Sequence, residues 1–457
     1  MDPLHPSKTF RVDESISLTL HKTSLKITVP GPRNIDLYSI LNAYISADGL
    51  TITYLDGENG TSNSTAPINA LQYPVSAEQK EQATAWKENL LSHAYGQAQR
   101  SKRLKVLVNP FCGSALEKVR KFAAPIFGAA HCEIDVEETR YRGHAGEIAE
   151  NIALDAYDAI VCCSGDGLPY EVFNGLARRS DAVEALSNMA VAMIPCGSGN
   201  AMAWNLYGTD DPSLTALGIV KGVEMPLDLV SITQGTQHTV SFLSQALGVL
   251  ADCDLKTEHL RWMGDTRFIY GVLATIAKNT KYSCQLAFKP TTSGGDKKEK
   301  EKEKTEKKDP TKSQNFPTSL PLQYGTVLDD IPEDWEIMPR ERLASFYTGN
   351  MKIVAKDTNF FPDAQPNDGF LDIMMIDDTI GWAASLEAII KLPQGKCNHL
   401  RDVEMRKVSA YRLTPWKPDG DISVDGERYP FEAFQVEVHQ GLGRVLSKSR
   451  DEYQVVG

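Results

Sequence analysis

The chain has 457 residues and a formal net charge of −12 at pH 7, enough length for two or three domains around a substantial core. The acidic balance excludes a general nucleic-acid binder, because counterion release needs a basic face. It also disfavours tight binding to anionic membranes through global charge, local basic patches aside.

Eight cysteines are scattered without CxxC or Cys/His metal spacing. Three of them, Cys162, Cys163 and Cys196, fall on expected core strands, and the pattern suits a reducing compartment. The N-terminus lacks the apolar run of a signal peptide, and ~18 consecutive apolar residues occur nowhere. A cytoplasmic protein is expected, with peripheral association to intracellular membranes and no transmembrane helix.

Residues 8–56 alternate apolar and polar (Ile16, Leu18, Leu20; Leu25, Ile27, Val29; Leu50, Ile52, Tyr54) between turn signals. This predicts a small β unit over 1–56. A Gly/Ser/Asn/Thr-rich linker is expected at 57–76, and a helix at 77–100 with Trp86, Leu90, Leu91 and Ala94 at helical spacing. From residue 104 a strand–turn–helix pattern repeats, with strands at 104–108, 132–138, 159–163 and 191–194. The reading is an α/β domain over 101–227, a parallel sheet with flanking helices and ligands at the carboxyl ends of its strands.

After residue 227 the pattern turns to strands, at 229–233, 239–243, 282–288, 343–348, 371–376, 408–413 and 434–439, with one helix at 386–392. A β-rich second domain over 228–457 is expected, antiparallel and sandwich-like. The run 296–312 is nearly all Lys, Glu, Asp and Thr. It buries too little apolar area to offset its ordering entropy, so a disordered insertion is expected over 290–335.

The most informative segment is Ser164-Gly165-Asp166-Gly167-Leu168, followed by Glu171 and Asn174-Gly175, directly after the apolar run 157–163. A strand that ends in Gly-Asp-Gly and runs into a helix sets a carboxylate beside backbone N–H groups that can cradle phosphate. Thirty residues on, Pro195-Cys196-Gly197-Ser198-Gly199-Asn200-Ala201 repeats the design. Attack of an alcohol on a γ-phosphate needs positioning, charge neutralisation and an acceptor for the hydroxyl proton. The N–H groups of Gly165, Gly167, Gly197 and Gly199 suit the first two needs, and Asp166 the third. The alternative for Asp166 is a purely structural, turn-capping role.

These blocks resemble the diacylglycerol-kinase catalytic fold shared with sphingosine kinases. Two more narrow the resemblance to sphingosine, or long-chain base, kinases: 247–255 with Arg261-Trp262-Met263-Gly264-Asp265 and Arg267-Phe268, and Ser423-Val424-Asp425-Gly426-Glu427. The likeness covers roughly residues 104–280 and 343–440. It implies an ATP- and Mg²⁺-dependent kinase acting on the primary hydroxyl of a sphingoid base, with Asp166 as general base. It further implies phosphate contacts from Gly197, Ser198 and Gly199, with Glu171 acting indirectly in the same cleft. Thr139, Arg140, Tyr141, Arg142 and Gly143 match the nucleotide-binding loop, and Asn109, Pro110 and Gly113 the first glycine loop. Arg261 and Arg267 would reach the phosphates, while Asp425 and Gly426 would close the nucleotide side. Ser164, Gly165 and Gly167 would flank the lipid hydroxyl.

Asp254 matches the acidic residue that recognises the sphingoid head group. A carboxylate is the natural partner of that ammonium, and an ion pair with Arg261 is the plainer alternative. Candidate lining for the lipid tail includes Phe268, Ile269, Leu273, Leu386, Ile389, Ile390 and Leu392, with Trp262 and Met263 as part of a lid. The stretch 382–392 is either a membrane contact or a buried helix.

One departure stands out. The family's first loop reads Asn-Pro-x-Gly-Gly-Lys-Gly, whereas here Asn109-Pro110-Phe111-Cys112-Gly113-Ser114-Ala115 loses a glycine and the lysine. Two other readings stay open: a diacylglycerol or ceramide kinase, and a non-catalytic lipid- or nucleotide-binding relative. A soluble-substrate kinase with a Gly-Asp-Gly turn is disfavoured by Arg261 and Arg267. Oligomeric state is not legible in the sequence.

Overall fold

The computed structural model describes residues 8–28, 32–56, 67–248, 251, 282–290, 320–356, 358–377, 380, single positions between 384 and 400, 403–417 and 420–454. Near the N-terminus, Thr9–Arg11, Ser17–Leu20, Ser24–Thr28 and Arg33–Asp36 pair antiparallel in sequence order. Alternation explains the pairing: Leu18, Leu20, Leu25 and Ile27 all point inward. A second sheet joins Ile40–Ser46, Gly49–Leu55 and Ile68–Tyr73.

The last of these strands corrects the expected linker at 57–76. Its polar residues Asn69 and Gln72 hide the strand pattern, and pairing with Gly49–Leu55 supplies what local composition does not.

A capping box between Ser76 and Gln79 opens the following helix, Lys80–Tyr95. Its buried face carries Trp86, Leu90 and Leu91, and the Trp86 ring lies 5.8 Å from that of Phe10. Two buried lysines fasten this unit to the α/β half. Lys102 donates to the carbonyls of Gln99 and Val220, both at 2.8 Å, and Lys221 to that of Ala94 at 3.1 Å.

The parallel strands lie in the order Glu133–Glu138, Arg103–Val108, Ala159–Ser164, Ala190–Pro195. The sheet does not end there. Phe434–Ser447 pairs parallel with Ala190–Pro195 and antiparallel with Val223–Gln234. One long C-terminal strand thus threads the β-rich half into the α/β sheet. The described strands of that half pair antiparallel around a second core that includes Val230, Leu247, Phe288, Phe346, Tyr411 and Val436.

The end of the expected disordered insertion packs in place. Gln323 N and Tyr324 N donate to Glu437, Arg412 donates to the carbonyls of Thr326 and Asp329, and Trp335 is buried near Ala287 and Ala410. The charge run stops at Lys312, and Leu320, Tyr324, Ile331 and Trp335 provide apolar anchors beyond it. The expected helix 386–392 lies largely outside the described residues. No helix among the described residues is long and apolar enough to cross a membrane.

Candidate active site

Ala159–Ser164 is buried along its whole length and delivers Gly165 and Asp166 to the carboxyl edge of the sheet, where helix Gly167–Ala177 begins. Ala190–Pro195 delivers the second glycine turn beside the first. The two turns touch. A Cβ on Gly165 would stand 2.7 Å from the carbonyl oxygen of Gly199, and one on Gly197 would stand 2.7 Å from the nitrogen of Gly165. Only glycine allows that approach. Cys196 N and Gly197 N donate to Ser164 O at 2.9 and 3.2 Å, and Asp166 N donates to Gly199 O at 3.1 Å. The Gly197 N–H is therefore engaged within the turn, while Ser198 is exposed.

Asp166 is buried, and its carboxylate bridges the turns. Oδ2 accepts from Ala201 N at 2.8 Å and Oδ1 from Met202 N at 3.0 Å. These amides open helix Ala201–Tyr207, whose own N-cap residue, Asn200, makes no side-chain cap. The structure thus gives Asp166 the capping role that stood beside the catalytic one.

Asn109 joins the first loop to the turn: Nδ2 donates to Ser164 Oγ at 3.3 Å, and Oδ1 accepts from Phe111 N at 3.0 Å. Pro110 is exposed, and Gly113 takes the left-handed conformation at φ +53°. Cys112, where the family pattern has glycine, lays its Sγ 3.4 Å from the position of a Cβ on Gly197.

In the loop 139–143, Thr139 is buried and its N–H donates to Val108 O at 2.8 Å. Arg140 N donates to His144 Nδ1 at 3.3 Å, and the exposed Tyr141 ring lies 5.0 Å from that of His144. Tyr141 also donates its hydroxyl hydrogen to Glu147. Gly143, at φ +93°, precedes helix His144–Asn151. Glu171 reaches across from helix Gly167–Ala177 to accept from Gly143 N at 2.8 Å and Ala145 N at 3.2 Å. Its place is that of an N-cap for the neighbouring helix, which shapes the loop.

Asp425 is where expectation and structure part. Its side chain points into the protein and accepts from Ser241 Oγ, Phe242 N, Leu243 N and Ser244 N at 2.7, 2.9, 3.1 and 2.8 Å. Burial pushes its carboxyl up to about 6 despite these donors. With φ +49° at Asp425 and +83° at Gly426, the pair forms the tight turn between Ile422–Val424 and Glu427–Tyr429. Asp425 therefore anchors the turn, and the residue of this motif that meets Arg142 and the first glycine turn is Glu427. Its carboxylate pairs with Arg142, and Oε1 lies 3.8 Å from where a Cβ on Gly167 would stand. The sequence signal for Glu427 was the third position of the same Asp-Gly-Glu motif.

Helix Gly167–Ala177 is tied to the β-rich half. Asn174 donates to Val240 O at 2.7 Å and accepts from Val240 N at 2.8 Å, and the Tyr170 and Tyr429 hydroxyls are 2.6 Å apart. Asp254, Arg261, Arg267, the lid candidates Trp262 and Met263, and the tail-lining candidates Phe268, Ile269, Leu273, Leu386, Ile389 and Leu392 lie outside the described residues. Ile390 is exposed. Among the described residues no group of three or more His, Cys, Asp or Glu side chains could hold a metal.

The arrangement matches known proteins. Residues 103–232 match the diacylglycerol kinase catalytic domain family, and residues 23–96 a domain family of unknown function. Sphingoid long chain base kinase 4 of Schizosaccharomyces pombe is 34% identical over 370 residues, covering 79% of this chain and 78% of that protein. Sphingoid long chain base kinase 5 of Saccharomyces cerevisiae is 33% identical over 431 residues, covering 79% of this chain; the chain spans 61% of that relative's length. A Bacillus anthracis crystal structure, described provisionally as a diacylglycerol kinase, superposes with a TM-score of 0.54 at 16% identity, covering 77% of this chain and 97% of its own. That likeness establishes the mixed α/β, sheet-rich fold, and the sequence relatives establish the family: the chain belongs to the sphingoid long-chain base kinases.

Proposed function

We propose that this chain transfers the γ-phosphoryl group of ATP to the primary hydroxyl of a sphingoid long-chain base, yielding the base 1-phosphate and ADP. The observation that carries the reading is the contact of the two glycine turns beneath the Arg142–Glu427 pair. Helix starts, a guanidinium and a half-buried carboxylate meet at one sheet edge, as transfer between an anionic donor and an alcohol requires. The hydroxyl oxygen attacks the γ-phosphorus, the bond to the β-bridging oxygen breaks, and the hydroxyl proton passes to a carboxylate.

Asp166 is the proposed acceptor of that proton, set at the junction of the two glycine turns. A second reading gives the proton to Glu427, favoured because it is the less buried of the two and both Asp166 oxygens already accept amide hydrogens. Mg²⁺ would be held mainly by phosphate oxygens, with Asp166 as a carboxylate ligand, and would neutralise charge on the transferred group. ATP occupies the cleft between the α/β half and the β-rich half. The β-rich half acts as a sandwich-like lipid-binding domain, with Asp254 as the proposed partner of the ammonium of the base. Peripheral contact with a cytoplasmic membrane face delivers the lipid.

A panel of lipid alcohols, presented to purified protein with labelled ATP, tests the reading. Sphingoid bases should be labelled and diacylglycerol and ceramide should not, and Asp254→Ala should erase that preference. Equal labelling of diacylglycerol would overturn the substrate assignment.

A further inference from the structure

We propose that Glu427 is an internal stand-in for a nucleotide phosphate: in the nucleotide-free protein it latches Arg142 across the cleft, and the incoming phosphates displace it. The inference rests on the ATP reading above.

Three observations converge on this side chain. Its partner Arg142 is 78% exposed and comes from the other half of the molecule, so the pair spans the cleft. Its Oε1 lies 3.8 Å from the Cβ position of Gly167, the first residue of an eleven-residue helix whose N-terminus favours an anion. Its position is also fixed from behind. The Asp425-Gly426 turn is held by four hydrogen bonds to Ser241, Phe242, Leu243 and Ser244, and Tyr429 is held by Tyr170. A carboxylate held against a guanidinium and a helix start makes the contacts that a phosphate oxygen would make in the same place.

The latch has a consequence for the reaction. An ion pair with so exposed a partner is weak, so polyanionic phosphates, with several oxygens for Arg142, replace it readily. Displacement frees the Glu427 carboxylate only once nucleotide has arrived. The cleft charge is thereby reorganised by the donor substrate itself.

Equilibrium binding of a non-hydrolysable ATP analogue with Mg²⁺ tests this on the full chain, comparing wild type, Glu427→Gln, Arg142→Ala and the double variant. Glu427→Gln should tighten binding about three- to fivefold, the size of a weak surface pair, and Arg142→Ala should weaken it. In the Arg142→Ala background Glu427→Gln should give no tightening, because the latch is already gone. Equal tightening in both backgrounds would show plain charge repulsion and overturn the latch, as would no tightening in either. Loss of binding in Glu427→Gln would overturn it in favour of a direct ligand role. Absence of binding by all four proteins would overturn the ATP reading, and the latch with it. Unchanged thermal midpoints confirm that the half-exposed Glu427 is not needed for folding.

Discussion

The hydroxyls of Tyr170 and Tyr429 lie 2.6 Å apart, joining the helix behind the first glycine turn to the hairpin that carries Glu427. Both rings are half-buried, and burial pushes both phenols up; the contact raises Tyr170 further and lowers Tyr429 in part. Replacing Tyr429 by Phe removes the partner of the Tyr170 hydroxyl and should cost about 1 kcal/mol. The Tyr170→Phe, Tyr429→Phe pair should cost less than the sum of the single changes, because the two act on one bond. Urea unfolding of the four proteins measures that coupling, and strict additivity would mean the contact carries no energy.

Asp425 supports a sharper prediction. Removing its carboxylate strands three backbone N–H groups and one hydroxyl in a buried corner, so Asp425→Ala should destabilise by about 3 kcal/mol or more. Asp425→Asn keeps the shape but presents an NH₂ group among the same donors, and should recover only part of the loss. The variants should also lose turnover in proportion to the misplacement of Glu427. A stable Asp425→Ala protein with lowered nucleotide affinity alone would indicate that Asp425 acts on the nucleotide directly.

Glu171 caps a helix other than its own. Glu171→Ala should raise the KM for ATP several-fold by loosening the loop 139–143, with a stability cost of about 1 kcal/mol. Glu171→Gln, which keeps an acceptor for Gly143 and Ala145, should stay close to wild type. A collapse of kcat in Glu171→Gln would point instead to a charge requirement in the reaction.

A pair of imidazoles, buried His238 and half-buried His439, makes one contribution to the pH dependence of stability. His238 and His439 both bond Ser231 Oγ, at 2.9 and 2.6 Å, and Glu437 Oε1 lies 3.8 Å from His439. Burial lowers both rings from the ordinary 6.5 to about 4. Carboxyls pushed up by burial, Glu437 and Asp425 among them, act in the opposite sense. Between these values the unfolded chain binds protons at these two residues that the folded chain refuses, so the stability they contribute is lost as pH drops from about 6.5 to 4. Each histidine contributes up to about 1.4 kcal/mol per pH unit. Relative to wild type, His439→Gln should gain stability on going from pH 7 to pH 5, read as the difference in urea midpoints between the two proteins at each pH, and an unchanged difference would mean that His439 carries no such linkage.

Legibility in the sequence followed the range of the interactions. The two glycine turns were readable because strand, glycine and helix start are consecutive, and their chemistry is local. Glu171 and Asp425 were not readable in their actual roles. Glu171 caps Gly143, 28 positions away, and Asp425 binds Ser241, 184 positions away. The strand Ile68–Tyr73 was hidden by its polar composition, and the C-terminal strand by its length, since only its first half alternates strongly enough to be noticed. Asp166 shows the same limit in one residue: its sequence context suggested chemistry, while contacts to Ala201 and Met202 revealed a structural duty as well.

That dual duty makes Asp166 and Glu427 the residues on which the account turns. The most direct measurement is transfer of labelled γ-phosphate from ATP to a sphingoid base by wild type, Asp166→Asn and Glu427→Gln, with thermal midpoints taken alongside. The account predicts labelled base 1-phosphate from wild type and a loss of about 100-fold or more in kcat for at least one variant that remains folded. Wild-type protein that binds both substrates yet forms no labelled lipid would contradict it, as would full activity in both variants.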